Sequence, residues 1–89
     1  MNPSLMQIVI DEVAFLSLSS DDVLDQDAAV ERLEHIAAAL KALSPVDSAA
    51  FLAFIEEEAH RAELSGDAAR LEFLRSIPDH LGLTDMGRA

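Results

Sequence analysis

The sequence predicts an all-α fold, a small bundle of four main helices with a short C-terminal turn, associating as a dimer. Three observations carry this. Ser44 to Gly66 reads as one helix with both ends written in: Ser44 as N-cap, Pro45 at the first helical position, Asp47 completing a capping-box-like pair, and Gly66 free to take the left-handed conformation that stops a helix. Apolar residues elsewhere recur at helical spacing. The segments between these runs are short and rich in Ser, Asp and Gly.

The first helix runs to about Leu18, with Ser4 as cap after a frayed Met1 to Pro3. On a wheel of about 100° per residue, Leu5, Met6, Ile8, Val9, Ile10, Val13, Phe15 and Leu16 fill most of its circumference. A helix apolar nearly all round is buried on most sides. In 89 residues that requires either a central position or a face shared with a second molecule. The shared face predicts an interface of Leu5, Ile8, Val9, Glu12, Phe15, Leu16 and Leu18. A strand over Gln7 to Val13 competes through its β-branched residues, but the alternation is poor.

Ser17 to Gln26 is an acidic connection with one helical turn at Asp22 to Leu24, and Asp25 or Asp27 caps the second helix, which runs to about Leu43. There Ala29, Leu33, Ile36, Leu40 and Leu43 share one face and Glu31, Glu34, His35, Ala38 and Lys41 the other. After a tight turn at Ser44, the third helix turns Phe51, Leu52, Ile55, Ala59 and Ala62 inward and Glu56, Glu57, His60 and Glu63 outward. Asp67 caps a shorter fourth helix to about Ser76, with Leu71, Phe73, Leu74 and Ile77 as a lid. Pro78 to Gly82 closes with one turn, Leu83 docks as the last apolar contact, and residues 84–89 form a flexible tail after a single domain of residues 1–83.

Seventeen acids against six Lys and Arg give a net charge of −11. Such a field repels nucleic-acid phosphates and anionic lipid, and it favours a basic protein partner, a cation or simple solubility, the last being the plainest reading. No cysteine is present, so disulfides and thiolate chemistry are excluded. The run from Leu5 to Leu18 has no basic lead-in, carries Asp11 and Glu12, and is too short to span a bilayer, which points to a soluble, cytoplasmic protein.

Each candidate for site chemistry has a plainer reading. Glu57 and His60 have the i, i+3 spacing of carboxylate and imidazole ligands, but the motif occurs once and faces away from Phe51 and Ile55. An EF-hand frame from Asp21 has Gln26 where the bend needs glycine and Arg32 where the bidentate glutamate belongs. Glu12 lies between Leu5 and Ile8 on the wheel, so it needs an ion-pair partner or carries a raised pKa. No companion nucleophile accompanies it. Arg61, Arg70 and Arg75 pair with the glutamates of their own two helices. The three glycines stand apart, which excludes a phosphate-cradling loop.

The expectation is therefore a non-catalytic acidic interaction module, of the inhibitor, immunity or antitoxin type, that binds a basic partner and needs no cofactor or metal. A structural homodimer using the first helix is the alternative, and a metal-binding protein ranks below both.

Overall fold

The computed structural model describes residues 1–82, which form four helices: α1 Pro3–Leu18, α2 Gln26–Lys41, α3 Pro45–Ser65 and α4 Ala68–His80. The fold is all-helical, with no strand among the described residues. The β-branched cluster of Gln7 to Val13 is helical, held by the apolar face that packs beneath it.

Every helix starts on a side-chain cap. Asn2, rather than Ser4, caps α1: its Oδ1 accepts from the Ser4 N–H at 2.7 Å, and Pro3 sits at the first helical position, where its missing N–H costs nothing. Asp25 caps α2 through the Ala28 N–H. Ser44 caps α3, accepting from the Asp47 N–H at 3.2 Å. The second half of that capping box is absent, because the Asp47 carboxylate instead meets the amino group of Met1 at 3.2 Å. Asp67 caps α4 through the Arg70 N–H.

Helix ends follow the same chemistry. Gly66, at φ 76°, lets the Asp67 N–H turn back onto the Ala62 carbonyl. α4 runs four residues past Ser76, through Pro78, to His80. Proline removes one backbone bond so near the helix end that the remaining turn still closes, with the Leu81 N–H on the Ile77 carbonyl. Gly82 ends it at φ 68°. Leu81, unnoticed in the sequence, is the buried apolar contact of this terminus. Leu83 and the tail of residues 84–89 lie outside the described residues.

The core joins Met6, Ile10 and Val13 of α1, Leu40 of α2, Phe51, Ile55, Ala59 and Ala62 of α3, and Phe73, Leu74 and Ile77 of α4. Leu33, Ile36, Leu43, Leu52, Phe54 and Leu71 are half-buried at its margin. α3 and α4 are the most extensively packed pair, and α1 lies across α2 and α3. This arrangement leaves one long side of α1 open to solvent.

Candidate functional site

Helix α1 has two faces of opposite fate. Met6, Ile10, Val13 and Leu16 are buried, whereas Leu5, Ile8, Phe15 and Leu18 remain 56, 61, 49 and 68% exposed. Of the seven residues predicted as an interface, Leu5, Ile8, Glu12, Phe15 and Leu18 share this open side. Val9 is half-buried at its border. Leu16 points into the protein instead, because its wheel position falls on the packed side of the helix next to Val9 and Val13.

Glu12 is exposed and makes no ion pair among the described residues, so the expectation of a sheltered, paired carboxylate does not hold. It lines a groove between α1 and α2 together with Ile8, Arg32, His35, Ile36 and Ala39. Arg32 likewise has no carboxylate within ion-pair reach among the described residues. The adjacent Asp11 is held differently, accepting from Gln7 Nε2 at 2.9 Å and facing Arg70 of α4 at 3.9 Å. Arg70 therefore reaches across to α1 rather than to a glutamate of α3 or α4, and its guanidinium also stands 5.8 Å from the Phe73 ring.

A second groove opens where the end of α1 meets α4. Val13, Leu18, Ala69, Phe73 and Ile77 give it an apolar lining, and Glu72 and His80 stand among the polar residues around it. No periodicity in the sequence signalled this groove, because it exists only where the fold sets the end of α1 beside α4. Beyond Leu18 the chain carries Asp21, Asp22, Asp25 and Asp27, none in an ion pair among the described residues, and an exposed Val23. A single turn closes this connection, with the Val23 and Leu24 N–H groups on the Ser20 carbonyl.

The acids of α3 are compensated locally. Arg61 bonds Glu57 at 3.3 Å and lies 3.8 Å from Glu58, and Arg75 bridges Glu56 and Glu63 at 3.2 and 3.6 Å. Glu57 and His60 are both exposed, as the wheel placed them. Among the described residues no three His, Asp or Glu side chains converge as metal ligands, and no helix is long and apolar enough to cross a membrane. No protein-family model, curated protein or solved structure matches the chain.

Proposed function

We propose that the chain is a non-catalytic protein-interaction module that docks a basic protein partner through the C-terminal end of α1. The carrying observation is the apolar groove between α1 and α4, continuous with the exposed Leu18 and followed in the chain by uncompensated aspartates. An apolar anchor from the partner would fill the groove, while its Lys or Arg side chains meet Glu72, Asp21 and Asp22. Apolar contact of this kind supplies affinity, and the acidic field speeds encounter. Inhibitors, immunity proteins and antitoxins of this size would need no more than such a surface.

A peptide library panned against the full chain tests this. It is expected to return peptides with a Leu, Phe or Met anchor flanked by Lys or Arg. Leu18→Asp should weaken them at least about tenfold, a loss of about 1.4 kcal/mol. Binding that is indifferent to Leu18→Asp, or selected peptides without basic residues, would overturn the reading.

The second reading is a homodimer built on the same helix. It is favoured by the spacing of Leu5, Ile8, Glu12 and Phe15, which all stand exposed on one side of α1.

A further inference from the structure

We infer that a second copy of this chain packs antiparallel along the middle of α1, each copy sending Glu12 toward Arg32 and His35 of the other. The inference rests on the reading of α1 as a contact element, and it uses a different part of that helix from the groove at Leu18.

Leu5, Ile8, Glu12 and Phe15 follow one another at intervals of three, four and three residues. That is the three-and-four spacing of a coiled-coil seam over about one and a half heptads, and on a wheel of about 100° per residue the four fall within about 80° of one another. All four are exposed, so the seam has no partner among the described residues of the chain. Helices pair along such a seam either parallel or antiparallel. A parallel pair would set Glu12 against Glu12 of the other copy, like charges in an apolar strip. An antiparallel pair centred near Ile10 sets Leu5 opposite Phe15 and Ile8 opposite Glu12, twice over by symmetry. Such a contact is closed and cannot extend into a fibre.

Charge chooses the occupant. Most of this −11 molecule would repel a copy of itself. The groove between α1 and α2 is not uniformly acidic: Glu12 stands with Arg32 and His35 beside Ile8, Ile36 and Ala39. In the antiparallel register the Glu12 carboxylate of one copy arrives over Ile8 of the other, in the groove that holds Arg32 and His35. Both Glu12 and Arg32 lack ion-pair partners within the chain among the described residues, and the contact supplies one to each. A charged residue in a seam lowers affinity but fixes register. The seam from Leu5 to Phe15 is only about 16 Å long, so the face it buries is at the small end of specific interfaces and the pair is weak and reversible.

Sedimentation of the full chain across a dilution series is expected to show a reversible shift between the 9.6 kDa monomer and twice that mass. Ile8→Asp should hold the chain monomeric, and Glu12→Arg or Arg32→Glu should each weaken association at least about tenfold. All three positions are on the surface, so helical circular dichroism should be unchanged. The deciding sample mixes the two charge variants. In the mixed pair each copy's residue 12 faces an opposite charge at residue 32 of the other, so a one-to-one dimer should reappear at a concentration where each variant alone is monomeric. Pairing of Glu12 with Arg32 inside one chain cannot produce that rescue. A wild-type chain monomeric up to about 1 mM, a binding energy below about 4.1 kcal/mol, would overturn the proposal. So would a dimer untouched by the charge variants, or a mixture that stays monomeric. Peptide binding that depends on Leu18 would survive any of these three failures, which separates this inference from the docking of a basic partner.

Discussion

Ile8 and Ile10 carry the same side chain two positions apart on one helix, yet Ile8 is 61% exposed and Ile10 has no exposure at all. Their replacement by alanine should therefore differ sharply. Ile10→Ala leaves a cavity among Met6, Val13 and the α3 and α4 side chains, and should cost about 2–5 kcal/mol in urea unfolding. Ile8→Ala, measured in dilute monomer, should stay within about 0.5 kcal/mol. If both cost the same, the orientation of α1 is wrong. The sequence showed that α1 is apolar nearly all round but not which side faces inward, because a ring of apolar residues has no preferred direction until other helices supply one. Glu12 misled for the same reason: its neighbours on the wheel are apolar, but they are exposed with it.

Helix α3 was legible from end to end because its boundaries are local chemistry. Ser44, Pro45 and Gly66 act within a few residues of themselves, and the stripe of Phe51, Ile55, Ala59 and Ala62 is buried as the spacing required. Ser44→Ala should cost about 1 kcal/mol through the lost bond to the Asp47 N–H. Gly66→Ala should cost about 1 kcal/mol through its positive φ rather than through crowding, since a Cβ there meets nothing within 4 Å. Thermal unfolding of both variants checks these values, and an unchanged midpoint would mean that neither end limits α3. The ends of α1 and α4 were less legible. The cap at Asn2, two residues before Ser4, is a local bond to the Ser4 N–H, whereas a helix carried through Pro78 depends on the packing beneath its last turn, as Leu81 and Ile77 show.

Across the molecule, charge is unevenly settled. Arg61 and Arg75 compensate the glutamates of α3, while no ion pair among the described residues reaches Asp21 to Asp27. Self-repulsion on this scale works against folding and is screened by salt. Raising sodium chloride from about 10 mM to about 500 mM, which shortens the screening length from about 30 Å to a few ångströms, should raise the melting temperature by several degrees. A melting temperature that falls instead would mean that the ion pairs outweigh the repulsion. The four-helix count and most inward residues were readable from periodicity. The groove between α1 and α4, and the meeting of Glu12 with Arg32 and His35, were not, because they join residues that only the folded chain brings side by side.

The split character of α1 also makes the protein a chassis. One flank of the rod is committed to holding the bundle together, and the opposite flank carries almost none of that burden. Positions 5, 8, 12 and 15 can therefore be redesigned as a set, giving the same scaffold new recognition properties without disturbing the interior.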